Sequence, residues 1–193
     1  MTSQNQRLEQ LLRLNEDAQR VLRLAPALDV EIWYLGAGGI SQIVWNMLHG
    51  FDPRNAIKDY DVVYYDSRDL SYDSEDRRIR EAKRLFHEVS VPVEVRNEAR
   101  VHLWYEKKFG VRIEPYRSVE EAIASWPTTA TCVGVKYIGD RFHVYAPYSL
   151  DDLFAMIVRP NKVLIEKDIY EEKVSRWIKI WPKLQVIPWD TDD

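Results

Sequence analysis

Leu8, Leu11, Leu12, Ala18, Val21, Leu22 and Ala25 recur every three or four residues, which lays one apolar stripe along a packing helix that ends before Pro26. The period then changes. Residues 30–35, VEIWYL, form a nearly continuous apolar run that reads as a buried strand, and the glycine cluster behind it opens a helix over about residues 40–48, with Gly50 as its stop. After the loop GFDPRNAIKD, the Val- and Tyr-rich segment 60–66 predicts a second strand, and SYDSEDRRIREAKRLFHEV predicts a charged helix capped by Asp73 or Ser74. VPVEVR, residues 91–96, is the third strand. A helix follows through NEARVHLWYEKKF until Gly110 ends it.

Ser118 with Glu121 three residues on is a capping box for a short helix before Pro127. ATCVGVKYIGDRFHVYAP then reads as two short strands joined in a hairpin around Gly139 and Asp140. The tail supplies two more helices, one on each side of the Pro160 loop. Alternating helices and strands give an α+β fold class with an α/β-like core. The expected organisation is a single domain over 1–193, with 1–25 as an N-terminal packing helix and 149–193 as a helical C-terminal extension.

Composition narrows the class. With 193 residues, of which 46% are hydrophobic and 30% charged, the chain can bury a sizeable core, and global disorder is disfavoured. Lys and Arg number 27 against 31 Asp and Glu, and the net charge of -4 offers no electrostatic footprint for long nucleic acid, although a local basic groove stays open. Most of the seven Trp and eleven Tyr are expected in the core, with base stacking as the alternative. Cys132 is the only cysteine, so no intramolecular disulfide or Cys-based zinc cluster can form, and a cytoplasmic setting fits. Its apolar and β-branched neighbours predict a buried, inert thiol. The amphipathic first segment does not read as a secretion signal, and no stretch approaches the ~20 apolar residues of a membrane span.

The chemistry concentrates in two places. A glycine turn between strand and helix lets backbone N–H groups approach phosphate, and Gly38 and Gly39 stand at such a turn. Asp59 and Asp61, two apart at the entrance of the second strand, point to one face. Like charges so placed raise each other's pKa unless they are solvated or share a cation, and Mg²⁺ takes one or two carboxylates together with substrate phosphates. Glu94 joins them if the second and third strands are neighbours, which would make a two-metal phosphoryl-transfer site with Glu94 as a further proton acceptor. A solvated strand end is the plain alternative for the Asp pair. A dinucleotide cradle is the other, but Ser41 stands where the third glycine of G-x-G-x-x-G belongs, Asp66 lies too far along for the ribose-binding acid, and Asp59 and Asp61 are left without a task.

Five blocks, LGAGGIS, IKDYDVVYYD, VEVRNEARVHLWYE, WPTTATCVGV and YAPYSLDDLFAMIVRPN, resemble a bacterial family of nucleotidyltransferase-like proteins within the DNA polymerase beta-like nucleotidyltransferase superfamily. The resemblance spans about residues 30–180. It implies a nucleotidyltransferase fold, a mixed β-sheet with flanking helices, and a site in which Asp59, Asp61 and Glu94 are the catalytic, metal-binding acids. It implies Mg²⁺ or Mn²⁺ as cofactor, a nucleoside triphosphate as donor and an unknown acceptor, with release of pyrophosphate. Gly39 stands where the superfamily often has Ser, with Ser41 nearby. Gly38, Gly39, Ser41, Arg100, Thr128 and Thr129 are the expected nucleotide-binding residues: Arg100 to neutralise phosphate, the threonines to donate hydrogen bonds, with a surface ion pair and a turn as their structural alternatives. His102 is expected to be a satisfied structural histidine. A non-catalytic nucleotide-binding or regulatory module is the alternative function, a Rossmann-type dinucleotide binder a weaker one, and partner docking through the first helix a third.

Overall fold

The computed structural model describes residues 3–191. Two helices, α1 (Ser3–Arg13) and α2 (Glu16–Leu24), replace the single one expected over 1–25. Asn15 makes the break: its backbone is extended and its Oδ1 accepts the Ala18 N–H, an N-cap that starts α2 afresh. The apolar stripe survives the break, since Leu8, Leu12, Ala18, Val21 and Leu22 are all buried. A 3₁₀ turn at Ala25–Leu28 leads to β1 (Trp33–Gly36) and directly into α3 (Ala37–His49), so Gly38 and Gly39 lie in the first turn of that helix instead of ahead of it. Gly50 ends α3 in the left-handed region at φ 75°, with its N–H returned to the Asn46 and Met47 carbonyls.

Next come β2 (Tyr60–Tyr64), α4 (Tyr72–Leu85) and β3 (Val93–Asn97). The cap of α4 is Ser71, not Asp73 or Ser74; its Oγ accepts the Ser74 N–H. The helix expected to reach Gly110 is a 3₁₀ segment, Glu98–Leu103, followed by the short α5 (Tyr105–Phe109), because the Asn97 side chain caps the Ala99 N–H and tightens the chain. In α6 (Val119–Ala124) half of the capping box forms: Ser118 accepts the Glu121 N–H, while the Glu121 carboxylate turns to the Arg117 N–H. The hairpin forms as β4 (Gly134–Ile138) and β5 (Arg141–Tyr145). Of the tail, α7 (Asp151–Phe154) is short and runs into β6 (Ile157–Val158), whereas α8 (Lys167–Ile180) is long; β7 (Gln185–Val186) pairs parallel with β6.

The main sheet has the order β3-β2-β1-β4-β5. β1 runs antiparallel to both β2 and β4, and β2 runs parallel to β3. This is the mixed sheet of the expected fold, and it removes the dinucleotide alternative, whose first two strands must be parallel. Leu35, Tyr60, Val62 and Val135 bury against Ile40, Ile43 and Val44 of α3, in one core with Leu8, Val21 and Leu22. Tyr34 and Val63 alternate to the other face, where Val119 and Ile123 of α6 cover them. Among the described residues, no helix is long and apolar enough to cross a membrane.

Candidate active site

Antiparallel pairing sets Gly36, the last residue of β1, opposite Asp61 near the start of β2, and parallel pairing sets Asp61 beside Glu94. Residues paired in register share a face, so the glycine turn and the acids form one row across three strands, with Asp59 two residues before Asp61 on the same side. Each glycine of the turn does something different. A Cβ on Gly36 would come within 2.6 Å of the Trp126 ring, and one on Gly39 within 3.0 Å of the Tyr60 ring, so these two permit close packing. Gly38 lines a cavity of about 370 Å³ together with Asp59 and Asp61. The start of α3 has no side-chain cap, which leaves first-turn N–H groups for a ligand. Ala37, also on the cavity wall, makes the sharp entry at φ 56°, a left-handed conformation that costs a non-glycine residue about 1 kcal/mol.

Burial raises the Asp59 carboxyl above its usual range, and the Glu94 charge adds to this. Asp61 is pushed up to about 6, by burial first and by Asp59 second. Glu94 is exposed on the edge strand, outside the cavity wall, and its Oε2 accepts a hydrogen bond from Arg96 at 2.9 Å. Cations share the wall with the acids. Lys58 and Arg96 come from β2 and β3 or their approaches, and Lys173 and Arg176 from α8. Burial, then Arg176, lower the Lys173 pKa, while Asp61 and Asp59 oppose that shift. An aromatic cluster anchors α8: Trp45 of α3 meets Trp177 edge-on at 5.3 Å and Trp181 at 5.6 Å, and Trp181 Nε1 donates to Asn46 Oδ1 at 2.7 Å.

Ser41, Arg100, Thr128 and Thr129 are not on this wall, which corrects the expectation that they reach phosphate. Ser41 is fully buried and donates to the Ala130 carbonyl. Arg100 forms a buried ion pair with Glu75 and donates to the Leu70 carbonyl. Thr128 bonds Thr131, and Thr129 donates to Asp152. Thr131 is the threonine of that block on the cavity wall. Among the described residues the buried Nδ1 of His102 has no partner, so it is not the satisfied histidine expected, whereas Cys132 is buried with its thiol pushed up to about 12 by that burial.

Sequence reasoning missed Lys173, Arg176 and Glu98. The signal for the first two was present: Lys173, Arg176, Trp177 and Ile180 fall at i, i+3, i+4 and i+7, one face of α8 on which cations sit among apolar residues. Glu98 had none, since an acid just after a strand is usually solvated; here it is 5% exposed and its carboxyl is pushed up to about 7, chiefly by burial. Among the described residues, no three His, Cys, Asp or Glu side chains are placed to hold a metal ion. The Asp59 and Asp61 pair nonetheless has the donor chemistry for a hard divalent cation that completes its shell from phosphate and water, and such a cation would offset the burial and the neighbouring negative charge that raise both pKa values.

The profile of a nucleotidyltransferase family matches residues 23–186. A solved NMR structure described as revealing a CCA-adding enzyme head domain aligns with a TM-score of 0.78 at 23% sequence identity, over 95% of each chain. At that identity the likeness is one of fold. No curated protein matches the chain.

Proposed function

We propose a function from one premise: the chain belongs to the nucleotidyltransferase family whose profile spans most of its length. Nucleotidyl transfer is the reaction class of that family. The finer reading is a metal-dependent enzyme that moves a nucleoside monophosphate from a nucleoside triphosphate to an acceptor hydroxyl and releases pyrophosphate. The observation that carries it is the row of Gly36, Asp61 and Glu94 across three strands, which puts an uncapped helix start, a pair of half-buried acids and a set of cations around one cavity.

In this reading the triphosphate lies against Gly38 and the first turn of α3, with Lys58, Lys173 and Arg176 drawing its charge into the cavity. Asp59 and Asp61, with Glu94 beside them, would hold Mg²⁺ or Mn²⁺, which would supply neutralisation of phosphate charge and a more acidic acceptor hydroxyl. The acceptor oxygen attacks the α-phosphorus in line, the bond from that phosphorus to the oxygen bridging toward the β-phosphate breaks, and pyrophosphate leaves. The hydroxyl proton passes to Glu94, whose Oε1 has no partner among the described residues, while Arg96 holds Oε2.

Calorimetry of the four nucleoside triphosphates with Mg²⁺, joined to a pyrophosphate-release assay over hydroxyl-bearing acceptors, tests this. Asp59→Ala combined with Asp61→Ala is expected to abolish Mg²⁺-dependent binding and to lower turnover by roughly 10²–10³-fold or more. Binding left unchanged by the double substitution would overturn the reading.

A further inference from the structure

A second cavity, of about 490 Å³, adjoins the first, and the two share Arg96, Glu98, Trp126, Pro127, Lys173 and Arg176 as a common wall. Their chemistry differs. The first adds Lys58, Asp59 and Asp61 to a wall that also holds Trp177 and Trp181, whereas the far side of the second is aromatic without such acids, with Trp104, Tyr105, Phe109 and Tyr116. Trp104 is half-buried and lies 6.0 Å from the Tyr105 ring, which in turn packs 4.6 Å from Phe109. The guanidinium of Arg96 and the ammonium of Lys108 each approach the Trp104 ring at 5.5 Å, which keeps that ring oriented at the mouth.

Glu98 sits where the two chambers meet. It is 5% exposed, and its carboxyl has no hydrogen-bond partner among the described residues. Its oxygens are not sealed in the core: they open on the two chambers that Glu98 lines, where water or the edge of a ligand supplies their hydrogen bonds. Flat aromatic side chains beside one such acceptor match a heterocycle that offers a π-face for stacking and N–H groups at its edge.

We propose that the second cavity is a nucleobase chamber, in which the base stacks on the aromatic wall around Trp104 and Glu98 hydrogen-bonds its edge. This rests on the reading of the first cavity as the triphosphate site. The base belongs either to the donor triphosphate, which then spans both chambers, or to a nucleoside-type acceptor.

The test is calorimetry with Mg²⁺ on wild type, Trp104→Ala, Trp104→Phe and Glu98→Gln. The probes are the four nucleoside triphosphates, inorganic tripolyphosphate, and the four nucleosides added with and without saturating tripolyphosphate. Trp104→Ala is expected to weaken at least one base-bearing ligand about tenfold, Trp104→Phe to retain its binding, and Glu98→Gln to change the ratio of affinities among bases about fivefold, while tripolyphosphate binding by the two Trp104 variants stays unchanged. Losses confined to the triphosphates assign the chamber to the donor's base; losses confined to the nucleosides assign it to the acceptor's. Base-bearing ligands that bind all four proteins alike would overturn the proposal. Tripolyphosphate and every triphosphate failing to bind wild type would instead overturn the reading of the first cavity, and the nucleosides added alone would still decide the second.

Discussion

Single residues show how far chemistry can be judged from residue type. Ser41, Arg100, Thr128 and Thr129 have side chains suited to phosphate, yet each one satisfies an internal group instead, because a buried carbonyl or carboxylate demands a partner as firmly as a ligand does. Glu98 is the reverse case, an unremarked acid that burial turns into a titratable feature of the site. Its folded pKa of about 7 lies above its ordinary value of 4.5, with Arg96 opposing the shift and Asp61 adding to it. The folded state therefore keeps a proton that the unfolded chain releases above about pH 4.5, so this group's contribution to stability falls as pH rises through that window and levels off beyond pH 7. Glu98→Gln is expected to stabilise the ligand-free protein at pH 8 by ~1–3 kcal/mol and to change little at pH 4. Urea denaturation at both pH values in the presence of a chelator checks it, and equal effects at the two would count against it.

At the scale of elements, local signals were legible where the deciding atoms lie within a few residues. Gly50, Gly110, Ser118 and the Gly139 hairpin all act as the sequence reading expected, since a cap or turn is settled by the chain next to it. Asn15 is the instructive miss. The buried apolar positions skip from Leu12 to Ala18 around it, and there Asn15 Oδ1 accepts the Ala18 N–H and the Tyr60 hydroxyl while its Nδ2 donates to the Pro53 carbonyl, which splits the helix. α8 carries the larger lesson, because a segment expected only as part of an extension delivers Lys173 and Arg176 to the acids of β2. Its seat depends on the Trp181 hydrogen bond to Asn46, which is buried. Trp181→Phe keeps the ring but deletes that donor, and is expected to cost about 1–3 kcal/mol of stability and to weaken triphosphate binding several-fold as α8 loosens. Thermal melts and calorimetry read the two effects. Unchanged affinity in a destabilised protein would show that the helix does not need this anchor to present its cations.

For the whole molecule, charge predicts behaviour that no single residue does. The net charge is -4, yet Lys58, Arg96, Lys173 and Arg176 gather at one cavity. A compact triphosphate should therefore bind with only a shallow salt dependence, and a long single-stranded DNA should not compete with it, because a net charge of -4 offers a long polyanion little electrostatic attraction outside the cavity. A competition titration at two ionic strengths checks this; displacement of the triphosphate by the DNA would refute it. The sequence by itself determined the five strands of the main sheet, the helix stops at Gly50 and Gly110, the Ser118 cap, the Gly139 hairpin and the placement of Asp59 and Asp61 on one face, which follow from strand period and local cap and turn chemistry. Tertiary structure decided the pairing. Were β1 and β2 parallel, the acids that open β2 would lie a strand's length, about 15 Å, from the glycine turn that closes β1. Antiparallel pairing brings them together, β3 adds Glu94 in register, and α8 closes the cavity with cations from more than a hundred residues away in the chain. Those choices depend on how the whole chain buries its apolar faces, a balance that no window of a few residues contains.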